Sequence, residues 1–343
     1  MTRRPTTHWA RKLRYAWSFV AGRIVHVNLQ VLYDCNCRCR ICDFWRGAYA
    51  NRPRLSVEQA GTVADKLNEI GPQIISIGGG EPLLHPELEA IARALARHHF
   101  PVLITNGTLV TPGKARALWS AGMMEISVSV DYASARRHDA QRGLPGAFDQ
   151  ALKALEILHA TRCHAEQRVH MISVLMDDNL DDAEPLIEQC EGMGITYLLT
   201  LCSPGRGPMT KRPPAAGVSR RLLDLKRRHP HFVALRGYVG RFTEAIARGV
   251  GPCQAGRLLC NIDTQGDVTF CIDHSGNPAG NILRDSMSDI VERLRRQHQA
   301  SPCRHCWTSC RGSVETIRSL RRLPGNLCDY WQMARPVKLG GRF

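Results

Sequence analysis

Long apolar runs are missing from this chain of 343 residues. No stretch approaches the run of about 18 uninterrupted apolar residues that crosses a bilayer as a helix. The N-terminus has neither the apolar core nor the small-residue cleavage site of a secretory signal, so the sequence predicts a cytoplasmic protein. Its 14 histidines show no H-E-x-x-H spacing, and no Ser-His-Asp arrangement or paired-carboxylate site stands out, which leaves hydrolytic chemistry without a candidate site. Helix-turn-helix and RNA-recognition signatures are absent, as are fixed-period repeats and low-complexity tracts. With 43% hydrophobic and 22% charged residues, the composition excludes a disordered or collagen-like chain.

Acidic residues are also missing from positions 1–33, which hold six Lys or Arg, while positions 284–343 hold twelve basic and five acidic residues. The formal net charge is +15, and the middle of the chain is nearly neutral. Basic ends suit an anionic surface or an acidic partner protein, and they equally serve solubility. Trp9, Leu13, Trp17 and Val20 fall on one face of a predicted helix. Such a stripe either lies on a membrane surface, making the protein peripheral to it, or closes the bottom of a core. The pattern leaves both readings open.

What the chain has in excess is cysteine, 14 in all. In a reducing compartment this number points to metal ligation or thiol chemistry rather than disulfides. From residue 24 onward, β-rich apolar segments alternate with longer helical patterns, the signature of a parallel sheet with crossover helices. Strands are predicted over Ile24–Leu32, Ile74–Ile77, Val102–Thr105, Glu125–Val130, His170–Leu175 and Thr196–Leu201, with helices beginning near Ser56, Pro86, Thr111, Gly146 and Asp181. Six such units give an α/β fold, a partial (β/α)6 barrel rather than a complete eight-unit one. Pro204–Val218, with four prolines and three glycines, reads as a linker or active-site loop. The expected organisation is a basic segment at 1–23, the partial barrel at 24–218, a helical connector at 219–250 and a small cysteine-rich domain with a basic tail at 251–343.

The first cysteine cluster, Cys35-Asn36-Cys37-Arg38-Cys39-Arg40-Ile41-Cys42, follows the first strand. Parallel-sheet enzymes place function at the C-terminal ends of strands. Thiolates at Cys35, Cys39 and Cys42 could hold three irons of a four-iron cluster and leave the fourth open to a ligand; a zinc knuckle or a redox dithiol is the alternative. The second strand runs into Gly78-Gly79-Gly80-Glu81-Pro82, where bare backbone approaches a ligand closely and a carboxylate can receive an ammonium group. The third ends at Thr105-Asn106-Gly107. The fourth places Ser129 and Asp131 on one face, where they could hydrogen-bond ribose hydroxyls.

These motifs resemble the radical S-adenosylmethionine (SAM) superfamily, whose C-x3-C-x2-C loop and GGEP segment appear here as Cys35/Cys39/Cys42 and Gly79-Gly80-Glu81-Pro82. The resemblance covers about residues 24–202. It implies a four-iron, four-sulfur cluster on the three cysteines and SAM on its open iron, contacted by Gly79, Gly80, Glu81, Asn106, Ser129, Asp131 and Asn179. An external one-electron reductant of the flavodoxin or ferredoxin type is implied as well. The implied chemistry is reductive cleavage of SAM to a 5′-deoxyadenosyl radical that takes a hydrogen atom from a C–H bond, with dehydrogenation, epimerisation or bond formation as the outcome. The second cysteine group, Cys253, Cys260, Cys271, Cys303, Cys306, Cys310 and Cys328, resembles the auxiliary-cluster extensions called SPASM and twitch. One cluster on Cys253, Cys271, Cys303 and Cys306 is one arrangement. The other places a first cluster on Cys303, Cys306, Cys310 and Cys328 and a second on Cys253, Cys260 and Cys271. Cys202 follows the sixth strand on the rim of the SAM motifs, where a thiol could return a hydrogen atom to a substrate radical. The short segment before the first strand shifts weight from a peptide substrate toward a small biosynthetic intermediate. The competing class is a zinc-stabilised nucleic-acid-binding protein.

Overall fold

The computed structural model describes residues 8–49, 51–203, 212–300, 303–304, 306–318 and 329. Its centre is a nine-stranded sheet in the order β6-β5-β4-β3-β2-β1-β7-β8-β9. Strands β1 (His26–Leu32), β2 (Ile74–Gly79), β3 (Phe100–Thr105), β4 (Glu125–Ser129), β5 (Arg168–Leu175) and β6 (Thr196–Leu201) are all parallel. They carry the Val/Ile/Leu-rich sequences of strands covered on both faces. The crossovers are α2 (Val57–Asn68), α3 (Leu88–Ala96), α4 (Pro112–Ser120), α5 (Ala135–Arg142) with α6 (Ala147–Ala160), and α7 (Ala183–Met193), preceded at the N-terminus by α1 (His8–Val20).

Local chemistry sets these boundaries. Ser56 and Gln59 form a reciprocal capping box at the start of α2, and Thr111 caps α4 ahead of Pro112, so orphan amide donors are satisfied at both sites. Helix α5 was absent from the pattern reading because Ala-Arg-Arg-His-Asp-Ala-Gln-Arg is polar on every face. Even so, His138, Gln141 and Arg142 are buried.

Beyond the barrel lie α8 (Val218–Arg228), α9 (Arg236–Val239) and α10 (Phe242–Ala247), then β7 (Leu259–Ile262), β8 (Asp267–Thr269), β9 (Gly280–Asn281), α11 (Met287–Ala300) and α12 (Ser309–Ile317). Strand β7 pairs in parallel with β1, Val27 opposite Cys260 and Asn28 opposite Asn261. The cysteine-rich region therefore continues the barrel sheet rather than forming a separate layer. The first turn of α12 reaches both flanks of the cavity described below: the Ser309 amide donates to Thr200 Oγ1 on β6 at 3.0 Å, and the Cys310 thiol lies 3.7 Å from Asn28 Oδ1 on β1. Among the described residues no helix is long and apolar enough to cross a membrane.

Candidate active site

At the C-terminal ends of the strands a single cavity is lined by Cys35, Cys37, Cys39, Cys42, Gly78, Gly79, Gly80, Glu81, Asn106, Ser129, Arg142, Cys202 and Cys310, among others. Three elements fix the cysteine loop on its rim. The end of β2 is zipped to its start, Gly80 N donating to Leu32 O at 2.9 Å and Glu81 N to Asp34 O at 2.8 Å. A Cβ on Gly79 would collide with Leu32 O and one on Gly80 with Asp34 O, so the glycines are required by the close approach of two backbones. From the other side, Arg38 N donates to Arg142 O at 2.8 Å and Arg40 N to Gln141 O at 3.0 Å, which docks the loop on the C-terminal turn of α5. Asn36 closes the third side, bonded to Thr108 Oγ1 and Asn106 Nδ2, each at 2.8 Å.

The electrostatics favour thiolate at the loop. Cys37 is buried and keeps its proton, held by its hydrogen bonds to Cys35 and Cys39. Those bonds are the largest influence lowering the Cys35 and Cys39 thiols, Cys39 to about 6, with the Arg142 guanidinium as a further cause at Cys39. Arg142 is buried, bonded through Nη2 to Asp131 Oδ2 at 2.6 Å, with Nη1 3.9 Å from Cys39 Sγ. A fixed cation beside Cys39 offsets part of the negative charge that a thiolate-ligated cluster would place there. The donor set of Cys35, Cys39 and Cys42, with a buried arginine behind it and side-chain-free backbone beside it, fits an iron–sulfur cluster with an open iron.

A family model described as the radical SAM superfamily matches residues 29–190. The mycofactocin maturase MftC of Mycobacterium tuberculosis (strain H37Rv) is 30% identical over 319 residues, covering 86% of this chain and 79% of the relative. The AdoMet-dependent heme synthase of Methanosarcina barkeri is 31% identical over 311 residues, 81% of each chain. This chain belongs to the radical SAM superfamily. Among solved structures, Streptococcus suis SuiB bound to its precursor peptide SuiA superposes with a TM-score of 0.65 at 14% identity, over 82% of this chain and 69% of that one. It shares the fold. Radical SAM membership overturns the zinc-stabilised nucleic-acid-binding alternative: the cysteine loop is built onto the strand ends of an enzyme barrel, facing a cavity.

As a radical SAM protein the chain distributes the expected residues unevenly. Gly79, Gly80, Asn106 and Ser129 line the cavity. Glu81 lines it too, but both its oxygens are occupied, Oε1 by Thr105 Oγ1 at 2.6 Å and Leu83 N at 3.0 Å, and Oε2 by Asn106 N at 2.8 Å. It braces the rim rather than offering a free carboxylate. Asp131 is buried away from the cavity, clamping Arg142 and accepting from Val174 N at 2.9 Å. The Asn179 side chain is spent on Met176 N, Asp131 O and Val174 O, at 2.7, 2.8 and 2.8 Å. The residue that the sequence reading missed is Arg142, whose only signal was its position on an unremarkable polar segment. Gln30 was missed as well: it is buried, its Nε2 donates to Asn261 Oδ1 at 3.0 Å, and its Oε1 has no partner among the described residues.

The seven downstream cysteines separate. Cys253, Cys271 and Cys303 share a small cluster with Ala255, Leu259 and Phe270, and Cys253 N donates to Cys303 O at 3.1 Å. Cys306 is near enough to contribute to the raised Cys253 and Cys271 thiols, after burial as the main cause; Cys253 is pushed up to about 12. Cys260 corrects the expectation that placed it among the ligands. It lies on the opposite face of β7 from Leu259, in the main hydrophobic core, and its thiol is raised by burial alone to about 12. Cys310 lines the barrel cavity, and Cys328 lies outside the described residues.

Proposed function

We propose that this protein is a radical SAM enzyme that abstracts a hydrogen atom from a C–H bond of a peptide or small biosynthetic intermediate seated in the strand-end cavity. The supporting observation is that Cys35, Cys39, Cys42, the Gly78–Gly80 backbone, Ser129 and Arg142 line the same cavity as Cys202 and Cys310. Cys35, Cys39 and Cys42 would hold the cluster, with Gly79, Gly80, Asn106 and Ser129 contacting SAM. When bound, the cluster and SAM supply an electron and a 5′-deoxyadenosyl radical, the electron coming from an external flavodoxin- or ferredoxin-type reductant. The chain itself positions the two ligands and excludes water. Asn28, Gln30, Ser76, Thr200 and Ser309 give the cavity floor uncharged hydrogen-bonding groups, which suits a substrate with neutral donors. Cys202, which lines the cavity, is the candidate for returning a hydrogen atom.

The names of the relatives cover both substrate classes, a maturase and a heme synthase. We further propose one auxiliary cluster on Cys253, Cys271, Cys303 and Cys306, since the first three share one small apolar cluster and Cys306 lies near Cys253 and Cys271, and a metal centre can take the place of thiol protons. The test is anaerobic incubation with SAM and a strong reductant. The wild type should release methionine and 5′-deoxyadenosine, Cys37→Ala should retain that activity, and the Cys35/Cys39/Cys42→Ala triple variant should lose it. Wild-type rates from the triple variant would overturn the assignment.

A further inference from the structure

Helix α1 is clamped to the end of the barrel opposite the cavity. Arg11 donates to Ala96 O at 2.6 Å and His99 O at 2.9 Å, Arg14 to Asn68 O at 3.3 Å, and Lys12 to Glu166 Oε1 at 3.0 Å. Tyr15 and Phe19 pack against Val25, Leu258 and Val314. All of these contacts lie on segments leading into strands or in α12. The inner face of α1 thus closes the bottom of the domain without help from the apolar stripe. Trp9, Leu13, Trp17 and Val20 point outward instead, 74%, 69%, 64% and 74% exposed.

We infer that this stripe is a docking face for an anionic membrane surface. Helix α1 has 13 residues; at about 1.5 Å per residue and about 10 Å wide its outer face covers roughly 200 Å². That is far below the roughly 800 Å² per partner of a stable protein interface. Two copies each carrying +15 also repel. A lipid surface needs no such area: paired tryptophans favour the bilayer interface, and basic side chains around them attract acidic headgroups. That positive rim is present. Arg23, beside the end of α1, and Arg257 are exposed, while Arg318 is half-buried beneath Gly22 with its Nη1 covered, 2.8 Å from where a Cβ would stand, and Arg257 is near enough to lower its pKa after burial does. Among the described residues none of these three arginines pairs with a carboxylate. Docking through this face leaves the cavity open at the far end of the barrel.

The experiment is co-sedimentation of the cluster-loaded, full-length protein with phosphatidylcholine vesicles, with and without phosphatidylglycerol. Binding should require the anionic lipid, weaken as salt is raised, and fall at least tenfold in the Trp9→Ser/Leu13→Ser/Trp17→Ser variant. Because these side chains are exposed, the variant should keep the wild-type unfolding temperature and iron content, which separates lost docking from misfolding. Absence of wild-type binding to anionic vesicles, binding that is indifferent to the triple substitution, or a dimer that disappears in the variant would each overturn the inference.

Discussion

The pair Arg142–Asp131 shows how a residue can organise a site from behind it. Its carboxylate has a side chain with no exposure, and the guanidinium faces the cysteine loop, so removing either partner strands a buried charge at a cost of about 3–5 kcal/mol. Arg142→Met is therefore expected to destabilise the protein by about 3 kcal/mol or more and to cut SAM cleavage at least tenfold, read by denaturant unfolding and 5′-deoxyadenosine release. A destabilised variant that cleaves SAM normally would show that the arginine serves folding alone. Gln30 tests substrate recognition: it lines the cavity, and its buried Oε1 has no partner among the described residues, so Gln30→Met should lower substrate turnover relative to SAM cleavage, and an unchanged ratio would remove it from the substrate site. The three motif cysteines and Gly79–Gly80 were legible in the sequence because their spacing is itself the chemistry. Arg142 was not, since no apolar period marks a polar residue that folds inward. Asp131 and Asn179 lay near the site along the chain, but their side chains brace turns, a choice set by side-chain direction rather than spacing.

At the scale of elements, the six parallel strands were legible within a few residues because buried β-branched runs alternate with capped amphipathic helices. The union of the two halves of the protein was not. Nothing in Leu259–Ile262 says that its partner is β1, more than two hundred residues earlier, and a one-residue change of register would turn Cys260 out of the core and toward Cys253. The zipped contact between the end of β2 and the cysteine loop yields a clean comparison. Gly79→Ala and Gly80→Ala each drive a methyl group into a backbone carbonyl, whereas on Gly78 the nearest atom to a new Cβ is Gln30 Oε1 at 3.7 Å. Gly79→Ala and Gly80→Ala should therefore lose iron from the barrel loop and lower the unfolding temperature, while Gly78→Ala unfolds like the wild type. Equal behaviour of all three would show that the loop yields where the geometry says that it cannot.

The whole molecule carries a pH liability that follows from buried neutral imidazoles. Burial lowers His99 to about 3, and burial followed by Arg142 lowers His138 to about 4. Below pH 6.5 the unfolded chain takes up protons that the folded chain refuses, so stability is full above that pH and falls as pH drops toward 4. The slope is about 1.4 kcal/mol per unit for each group. Urea midpoints at pH 7.5 and 5.5 should show the loss, and His99→Gln should roughly halve it; a pH-independent midpoint would mean that these rings find a proton-bearing arrangement in the fold.

Iron content tests the division of the cysteines across the two regions. Seven downstream thiols suit two clusters on composition alone, yet the fold spends Cys260 on the core between β7 and β1 and turns Cys310 into the barrel cavity. Of the other five, Cys328 lies outside the described residues, and Cys253, Cys271, Cys303 and Cys306 lie together, a full set for one four-iron centre and too few for two. The loaded protein should then hold about eight irons per chain, four on the barrel loop and four on the auxiliary site, rather than about twelve. Cys260→Ala should leave that number unchanged and act as a core substitution, while Cys303→Ala should lower it to about four and still permit SAM cleavage uncoupled from product, because Cys35, Cys39 and Cys42 are untouched. About twelve irons, or iron lost with Cys260, would mean that β7 leaves the sheet when the clusters assemble. About four irons with one tightly held zinc would make the auxiliary site a zinc ribbon, with the barrel chemistry standing by itself.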